Sequence, residues 1–470
     1  MNTINPTKAD SPADIAVIGG GVVGCAAARR FALDGASVIL IEKGADILSG
    51  ASKANSAIMH TGFDAPEGSL ELECIRAGRD EYLAIHHSLN LPLVETGALV
   101  CAWNEAEAAK LEGIFDQGKR NGVTDLRLLS RQEALARMPS LSSNLHGAVE
   151  VMGEHVIDPW SAPLAYLLQA ISVGARVMRQ TEITSGTFSG GLWALESNRG
   201  TIHARTVINA AGLHGDTVSR RLGLMPEFEI RPRKGQFVVL DKAAARHVPA
   251  IVLPVPTEIT KGIVVCPTAF GNVLVGPTAE EQDDRERAAT DEATLRMLLE
   301  RAAEIVPALA EATVTAIYAG LRPATEKKQY RISADAAKQV ITLGGIRSTG
   351  LSAALGIARH AAKLYADFTH RDHTPVEPPP LSMPNLAERF ERDWQRPDHG
   401  DIVCHCEMVT RREIEAALSG DLPAGDFGGL RRRTRAGMGR CQGFYCNAKL
   451  ARMSSGHLAT PLAADNEADQ

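Results

Sequence analysis

The sequence predicts an α/β protein with three parts: a parallel-sheet domain, an antiparallel-sheet domain inserted into it, and a small helical domain at the C-terminus. Three observations predict this fold class. A glycine turn joins a short strand to an Ala-rich helix near the N-terminus, and β-rich runs separated by Pro, Gly and Asn fill the middle of the chain. Four cysteines then crowd into one segment after a proline-rich stretch.

Length and charge narrow the class of protein. The 470 residues, at about 150 residues per domain, predict two to four domains. The 50 Lys and Arg are outnumbered by 56 Asp and Glu, and aromatic residues make up only 4% of the chain. Because a nucleic-acid site needs a cationic field and stacking rings, we expect no nucleic-acid partner.

The N-terminal region predicts the cellular compartment. No apolar run reaches the roughly 20 residues that cross a bilayer. The start, MNTINPTKADSPAD, has neither the basic nor the apolar region of a signal peptide. We therefore expect a cytoplasmic protein with no direct membrane insertion, whose eight cysteines stay reduced unless they bind metal or do redox work.

The first element is a parallel βαβ unit. Strands are predicted at residues 14–18 and 37–41, with a helix between them that ends near Gly35. The motif G-x-G-x-x-G opens this helix, and an acidic residue closes the second strand, where it can accept hydrogen bonds from ribose hydroxyls. The pattern predicts a Rossmann-like dinucleotide site rather than a purely structural turn, made by Gly19, Gly21, Gly24 and Glu42.

The middle of the chain predicts the inserted domain. Antiparallel strands are expected at residues 236–240, 262–266 and 272–275, followed by a helix capped by Thr290 or Asp291. A later strand-then-glycine pattern, at residues 341–360, predicts that the first domain is completed late in the chain. The predicted ranges are 12–85, 145–225 and 335–370 for the first domain, and 86–144 and 226–334 for the inserted substrate domain.

The C-terminal part begins after the proline-rich segment. Five prolines between Pro375 and Pro384 predict an extended, semi-rigid linker at residues 371–396. A small domain is expected at residues 397–456, in which Thr410 and Glu413 form a capping box. The acidic end, residues 457–470, is predicted to be disordered.

The four clustered cysteines predict a metal centre. Cys404 and Cys406 are followed, after 34 intervening residues, by Cys441 and then Cys446. Four thiolates are the usual ligands of a [2Fe-2S] cluster, in which each iron takes two. A structural zinc site is the main alternative, although zinc pairs usually have two to four residues between the cysteines. The pattern favours the cluster.

Three segments resemble the D-amino-acid-oxidase-like flavoprotein superfamily. They are KGADILSGASKANSAIMHTG, VINAAGLHGD and GGIRSTGLSAALGIA. The resemblance implies FAD as the nucleotide, with the last segment starting a helix near Ser352 whose N–H groups face the flavin. The cofactor-binding residues that it implies are Lys43, Ser52, Asn55, Ala211, Gly212, Gly345, Gly350, Leu351 and Ser352.

The C-terminal segments VCHCEMVTRREIEAAL and GLRRRTRAGMGRCQGFYC resemble the bacterioferritin-associated-ferredoxin-like domain of the anaerobic glycerol-3-phosphate dehydrogenase family. The resemblance implies that the four cysteines hold a [2Fe-2S] cluster and that electrons pass to a flavoprotein or iron-sulfur protein that serves as the partner subunit. Any attachment to the inner membrane would then run through that partner. Residues 431–435 carry four arginines, which could raise the cluster potential, dock an acidic partner or form a solvated helix face.

The predicted catalytic residues are His60, Arg322 and Arg331. His60 lies in the MHTG segment and suits a general base. YAGLRPATEKKQYRIS resembles the G-[IVL]-R-P substrate motif of the family, in which Arg322 could hold a carboxylate or phosphate of a small anionic substrate. Lys234 matches a basic position of these flavoproteins, but it could equally face solvent. GGIRSTGLSAALG departs from the typical glycerol-3-phosphate dehydrogenase element, and Arg347 could replace the missing lysine.

The predicted activity is oxidation of sn-glycerol 3-phosphate, or a similar small anionic alcohol, to the ketone by hydride transfer to flavin N5. GGIRSTGLSAALG is closer to the L-2-hydroxyglutarate dehydrogenase branch, so a 2-hydroxy acid is the alternative substrate. Two further alternatives are an oxidase that uses oxygen, with a structural cluster, and an electron-transfer subunit that turns over no substrate.

Overall fold

The computed structural model describes residues 11–256, 262–369 and 371–463. The helices are α1 (Val22–Leu33), α2 (Leu70–Ile85), α3 (Glu105–Ala108), α4 (Leu111–Arg120), α5 (Arg131–Arg137), α6 (Ser161–Ser172), α7 (Gly215–Arg221), α8 (Glu292–Ile305), α9 (Gly350–Phe368), α10 (Arg411–Leu418), α11 (Phe427–Thr434) and α12 (Asn447–Ser454). The strands are β1 (Ala13–Ile18), β2 (Val38–Ile41), β3 (Ile58–Met59), β4 (Leu93–Val94), β5 (Ala98–Ala102), β6 (Leu126–Ser130), β7 (Gly147–Val151), β8 (His155–Ile157), β9 (Arg176–Met178), β10 (Ile183–Ser189), β11 (Leu192–Ser197), β12 (Gly200–Asn209), β13 (Arg233–Leu240), β14 (Ile251–Pro254), β15 (Val264–Pro267), β16 (Val273–Gly276), β17 (Glu280–Glu281), β18 (Val314–Arg322), β19 (Arg331–Asp335), β20 (Val340–Gly344), β21 (Ile402–Cys404) and β22 (Val409–Thr410).

The first sheet has a parallel centre, in which β9, β2, β1, β12 and β20 are neighbours. β10 and β11 extend it as an antiparallel meander, and β19 pairs with β20. The Ala-rich face of α1 packs with α6 and α9 in the largest apolar core. Because β20 lies beside β12, the late segment of the chain completes this sheet, as the sequence predicts.

The second sheet has nine strands in the order β17-β13-β16-β15-β14-β5-β7-β6, with β18 also paired to β13. Its pairs are antiparallel except for β14 with β5. α8 covers it and buries Leu298, Ala302 and Ile305, and the Asp291 side chain caps this helix by accepting the Thr294 N–H. A small sheet, β3-β8-β4, lies apart from both.

Two predicted domain boundaries place strands with the wrong sheet. The range 145–225 gave β7 to the parallel-sheet domain, whereas β7 pairs with both β5 and β6 of the second sheet. The range 226–334 gave most of β19 to the inserted domain, whereas β19 forms a hairpin with β20 of the first sheet. In both cases the strand belongs to the sheet with which it pairs, and the predicted range cuts it off from that sheet.

The proline-rich segment is extended but not a free spacer. Its backbone bonds to the rest of the molecule, through Val376 N–H to the Leu33 carbonyl at 2.8 Å and Met383 N–H to the Leu89 carbonyl at 2.9 Å. Leu386 is 1% exposed. The predicted spacer is therefore a strap packed on the preceding domains.

The C-terminal domain combines α10, α11 and α12 with the short β21–β22 pair around its own core. The Thr410–Glu413 capping box is formed as predicted. The predicted disordered tail is wrong for residues 457–463, where the Ala459 N–H donates to the Gly425 carbonyl at 2.9 Å. Residues 464–470 lie outside the described residues.

Candidate functional site

The glycine turn after β1 is built by close backbone contact. Gly19 has a φ of +112°, and a Cβ there would lie 2.5 Å from the Ala210 carbonyl oxygen. A Cβ at Gly24 would lie 1.9 Å from the Gly19 carbonyl oxygen. Gly21 precedes the first residue of α1 as its N-cap. Only glycine fits at Gly19 and Gly24, and the turn leaves the positive end of α1 open to a phosphate group.

Polar groups line this turn. The Glu42 carboxylate accepts hydrogen bonds from the Gly20 N–H at 2.6 Å and the Gly44 N–H at 2.7 Å. The Ser52 hydroxyl accepts the Val22 N–H at 3.0 Å, at the first turn of α1. A carboxylate oxygen has two lone pairs, so Glu42 can also accept ribose hydroxyls. The set fits the adenosine and pyrophosphate of FAD.

The other predicted FAD segments meet at the same sheet edge, because each follows the carboxyl end of a neighbouring parallel strand. Ala211 and Gly212 follow β12, and Gly345, with a φ of +67°, follows β20. Gly350, Leu351 and Ser352 form the first turn of α9, two residues earlier than the predicted start of this helix. Their N–H groups lie at its positive end, which suits a flavin that gains negative charge on reduction.

Two further residues predicted to bind FAD, Asn55 and Lys43, differ in their contacts. Asn55 shapes the loop, since its amide donates to the Ser52 carbonyl and accepts the Ala57 N–H. Lys43 points to the surface, where its ammonium lies 2.8 Å from Glu286. The role of each residue in binding FAD stays a prediction.

His60 is held by a buried carboxylate. Its Nδ1 lies 2.8 Å from Glu154 Oε2, and Glu154 is fully buried. The other oxygen of Glu154 accepts the Thr61 N–H at 2.6 Å and the Thr61 hydroxyl at 2.9 Å. The backbone N–H of His60 donates to the Ser352 hydroxyl at 2.9 Å. Because Glu154 uses Nδ1, Nε2 is the atom that can take a proton.

Sequence reasoning missed Glu154. It lies 94 residues from His60, just before β8, whose pairing with β3 brings the two together. The extended strand pattern at residues 155–157 could have placed Glu154 beside a strand, but no local motif marks it as the partner of His60.

Three arginines form a cationic group at the end of β18. Arg233 in β13 lies directly across from Arg322 in β18. Burial, with the charges of Arg233 and Arg347, lowers the pKa of Arg322 to about 10. Arg233 pairs with Glu281 at 2.6 Å. Among the described residues, Arg322 donates to the Thr278 carbonyl and forms no ion pair. Burial lowers the pKa of Arg347, although the charge of Glu71 opposes this shift, and Arg347 also forms no ion pair within the described residues.

The other basic residues near this group either pair with carboxylates or are exposed to solvent. Arg331 forms an ion pair with Glu326, and Lys234 lies 2.9 Å from Glu280. Lys327 and Lys328 are exposed in the turn between β18 and β19. Sequence reasoning chose Lys234 in this segment, whereas the structure brings its neighbour Arg233 to Arg322.

β18 carries Arg322 across the loop of residues 51–55. The Tyr318 hydroxyl donates to the Asn55 carbonyl at 3.0 Å. A Cβ at Gly320 would lie 2.4 Å from Ala54 Cβ, so the strand and the loop are in close contact. The antiparallel sheet therefore presents its arginines next to the loop that is predicted to wrap the flavin.

The four predicted cluster ligands come together in the C-terminal domain. The Cys404 thiol lies near that of Cys446, and the Cys406 thiol lies near that of Cys441. Cys404 and Cys446 are each 1% exposed, whereas Cys406 and Cys441 are partly exposed. In the part of the chain that the structure describes, no group of three ligands converges on a single metal ion. Four thiols that come together in one domain suit the two irons of a [2Fe-2S] cluster, each of which takes two thiolates.

The basic run near the cluster faces inward. Arg433 forms a bidentate ion pair with Asp46, which is fully buried beside the glycine turn, at 2.5 and 2.9 Å. Arg432 donates to the Ile47 carbonyl, and Arg435 pairs with Glu407 at 2.8 Å. Arg431 donates to the Gly437 carbonyl. The expectations of a solvated face or a partner-docking face are therefore wrong, because Arg432 and Arg433 join the C-terminal domain to the first domain, while Arg431 and Arg435 bond within the C-terminal domain.

Comparison with known proteins defines the class. Residues 14–364 match the family described as FAD dependent oxidoreductase, and residues 402–453 match the BFD-like [2Fe-2S] binding domain. The chain belongs to the FAD dependent oxidoreductase family. It is a flavoprotein oxidoreductase that uses FAD and carries a [2Fe-2S] cluster in its C-terminal domain, which confirms both predicted cofactors.

The relatives narrow the class further. Glycerol 3-phosphate dehydrogenase of Caloramator mitchellensis is 31% identical over 465 residues, which cover 97% of this chain and 97% of the relative. One component of the anaerobic glycerol-3-phosphate dehydrogenase of Escherichia coli (strain K12) is 24% identical, over 95% of this chain and 88% of the relative. Glycerol 3-phosphate oxidase of Mycoplasma pneumoniae is 32% identical, over 75% of this chain and 94% of the relative.

A solved structure shares the fold. FAD-bound L-alpha-glycerophosphate oxidase of Mycoplasma pneumoniae superimposes with a TM-score of 0.74 at 28% identity, covering 80% of this chain and 100% of that one. Among the described residues, no helix is both long and apolar enough to pass through a bilayer.

Proposed function

We propose that this chain is a dehydrogenase that oxidises sn-glycerol 3-phosphate to the ketone and passes the electrons through its [2Fe-2S] cluster to a partner protein. The relatives that align with 97% and 95% of this chain are named as glycerol 3-phosphate dehydrogenases. The observation that carries the proposal is the unpaired cationic group of Arg322 and Arg347, in a protein that also holds a histidine against a buried carboxylate.

The arginines bind the substrate anion. A guanidinium donates two parallel N–H groups to a phosphate, and Arg322 has little water to compete for them because it is largely buried. Arg233 adds positive charge from the neighbouring strand. A dianion would also raise the pKa of Arg322 back toward its ordinary value, since it offsets the repulsion among the three cations.

His60 takes the hydroxyl proton. Its Nε2 accepts the proton as the alcohol is oxidised, and Glu154 stabilises the imidazolium that forms. FAD supplies the hydride acceptor at N5. Arg322 and His60 together fix the substrate at two points, which aligns the carbon that loses hydride.

Cys404, Cys406, Cys441 and Cys446 would hold the cluster, which would supply one-electron transfer to a partner. Cys406 and Cys441 are the partly exposed members of this set, so a partner would dock on their side of the domain. The partner is an electron-accepting flavoprotein or iron-sulfur protein, and any attachment to a membrane runs through it.

The test is an anaerobic substrate panel. We expect glycerol 3-phosphate to bleach the flavin absorbance, and L-2-hydroxyglutarate, lactate and unphosphorylated glycerol to do so at least about 100-fold less efficiently, since each lacks the phosphate or places its charge differently. Bleaching by a 2-hydroxy acid alone would transfer the proposal to that substrate. No bleaching by any of them would contradict it.

An oxidase is the second candidate, because the Mycoplasma pneumoniae relative and its structure are named as oxidases. Those oxidases align with 75–80% of this chain, whereas the dehydrogenases align with 95–97%. Stoichiometric peroxide in air, with full activity in Cys404→Ser, would favour the oxidase. Little peroxide and loss of acceptor reduction in the same variant would favour the dehydrogenase.

A further inference from the structure

Three side chains form a continuous contact between the C-terminal domain and the first domain. They are Arg435, which ends α11, Phe270, in the turn after β15, and Trp160, which precedes α6. We call them the aromatic seam. The Arg435 guanidinium lies 4.0 Å from the centre of the Phe270 ring. Phe270 stacks on Trp160, with ring centres 5.5 Å apart and planes 12° from parallel.

Each end of the aromatic seam reaches one cofactor region. At one end, Arg435 Nε bonds Glu407, the residue after the cluster ligand Cys406, at 2.8 Å. At the other end, the Trp160 indole N–H donates to the Lys53 carbonyl at 3.3 Å. Lys53 follows Ser52, whose hydroxyl contacts the N-terminus of α1, where the FAD pyrophosphate would bind.

The seam is not needed simply to attach the C-terminal domain. The Arg433–Asp46 pair and the Arg440–Asp241 pair, the latter at 2.8 Å, already join the domains. Arg435 is only 4% exposed, so its charge is buried over a ring as well as paired with Glu407. A buried charge stacked on an aromatic pair is costly unless its neighbours fix it in one place. The arrangement therefore specifies the distance and orientation between the two cofactor regions.

We propose that the aromatic seam positions the cluster for electron transfer from the flavin, with Phe270 and Trp160 as positioning residues. The proposal rests on the proposed function, in which electrons leave through the cluster. Oxidation of the alcohol breaks a C–H and an O–H bond, releases a proton to His60 and delivers a hydride, which carries two electrons. The flavin takes up this hydride and then gives up the two electrons one at a time. Each reduces one ferric iron to ferrous, and a one-electron acceptor protein reoxidises it before the next follows.

The experiment uses flash photolysis of the full-length holoenzyme. A laser flash with a photochemical one-electron donor reduces the flavin without any substrate, and transient absorbance then follows the loss of reduced flavin and the reduction of the cluster. We expect Phe270→Leu to slow this transfer at least about tenfold, because small displacements of reacting groups have large effects on rate. Phe270→Tyr keeps the stack and should transfer within about twofold of wild type.

Two more variants make the result decisive. Phe188→Leu alters a second aromatic pair, Phe188–Trp193, which lies in the β10–β11 hairpin, and should leave the transfer rate unchanged. Trp160→Leu removes the other ring of the seam at a half-buried position, so it tests the seam if Phe270→Leu does not load its cofactors. Redox titration should give unchanged midpoint potentials, which separates a positioning effect from a change in driving force.

The outcomes distinguish the two proposals. If Phe270→Leu or Trp160→Leu holds both cofactors and transfers electrons at the wild-type rate, the aromatic seam does not position the cluster. The proposed function would be unaffected by that result. Equal slowing of the transfer in Phe188→Leu would also contradict the positioning role, since loss of an aromatic ring outside the seam would then have the same effect. If the wild type itself shows no transfer from flavin to cluster, both the seam and the exit of electrons through the cluster are wrong.

Discussion

Glu154 is a buried carboxylate whose one evident task is to hold His60 and Thr61. Glu154→Gln keeps the size of the side chain but removes the charge that stabilises a protonated His60. We expect the flavin reduction rate to fall about 100-fold at saturating substrate, with KM little changed, within the range known for general bases. Stopped-flow absorbance at a series of pH values measures the rate of flavin reduction. Loss of the base should also weaken the fall of this rate toward acid pH.

Glu150→Gln is the matched control. Glu150 is another buried glutamate, 4% exposed, but it pairs with Arg137 at 3.0 Å on the second sheet. Glu150→Gln should lower the stability of the protein and leave the pH dependence of flavin reduction unaltered. A Glu154→Gln enzyme with the wild-type rate and profile would remove His60 from the role of base.

Arg322 and Arg331 were both predicted to bind substrate, and their surroundings separate them. Arg322 has no carboxylate partner among the described residues, whereas Arg331 is paired with Glu326. We expect Arg322→Met to lower kcat/KM for glycerol 3-phosphate by about 100-fold or more, the loss typical of a buried charged hydrogen bond, and Arg331→Met to have a smaller effect. Steady-state kinetics of both variants measure this, and the reverse ranking would contradict the assignment.

At this scale, residues with a local motif could be predicted and residues with remote partners could not. Gly19 and Gly24 belong to a spaced pattern that a single turn of the chain contains. Glu154 and Arg233 acquire their roles only when a strand far along the chain, β3 or β18, pairs beside them. The sequence around these residues does not indicate which strands pair.

The close contact of β18 with the loop of residues 51–55 is possible because Gly320 has no side chain. Gly320→Ala would place a Cβ 2.4 Å from Ala54 Cβ and push the strand away from the loop. We expect this variant to raise KM for glycerol 3-phosphate and weaken FAD retention, because Arg322 and Asn55 move apart. Fluorescence of released flavin and steady-state kinetics measure the two effects.

Gly113→Ala is the control for this substitution. Gly113 lies in α4, and a Cβ there meets nothing within 4 Å. Alanine favours a helix over glycine by about 1 kcal/mol, so this variant should be slightly more stable and fully active. If Gly320→Ala behaves in the same way, the close contact between strand and loop does not control the site.

Elements with a regular pattern matched their predictions, and the exceptions have physical reasons. α8 and its Asp291 cap, and α10 with its capping box, are specified by residues within one or two turns. The predicted ranges place β7 and β19 in the wrong domain, because the pairing partners of a strand decide its sheet and a range drawn along the sequence does not contain them. The proline-rich strap is extended because of its prolines, while its packing depends on apolar residues such as Leu386 meeting the earlier domains.

The whole molecule is held together by a buried charge contact between domains. Asp46 is fully buried and receives Arg433, while Arg179 lies 3.5 Å away. Asp46→Asn would leave the buried Arg433 guanidinium and the half-buried Arg179 guanidinium without their carboxylate. We expect the free energy of unfolding to fall by about 3 to 5 kcal/mol, as for other broken buried pairs. Denaturant titrations followed through cluster absorbance measure it.

Asp401→Asn is the surface counterpart. Asp401 pairs with Arg411 at 2.7 Å with 48% of its side chain exposed, so its loss should lower the free energy of unfolding much less than the loss of Asp46. Equal losses in the two variants would mean that the Asp46 contact does not hold the domains together. The run of arginines could be seen in the sequence, but its inward direction could not, because Asp46 lies almost 400 residues earlier.

The central claim is that substrate electrons enter at the flavin and leave through the cluster. Anaerobic addition of one equivalent of glycerol 3-phosphate to the full-length protein, followed by absorbance and electron paramagnetic resonance on the same sample, tests it most directly. The account predicts loss of the oxidised-flavin absorbance together with the paramagnetic signal of a reduced [2Fe-2S] cluster. A flavin that bleaches while the cluster stays oxidised, or a flavin that does not respond at all, would contradict it.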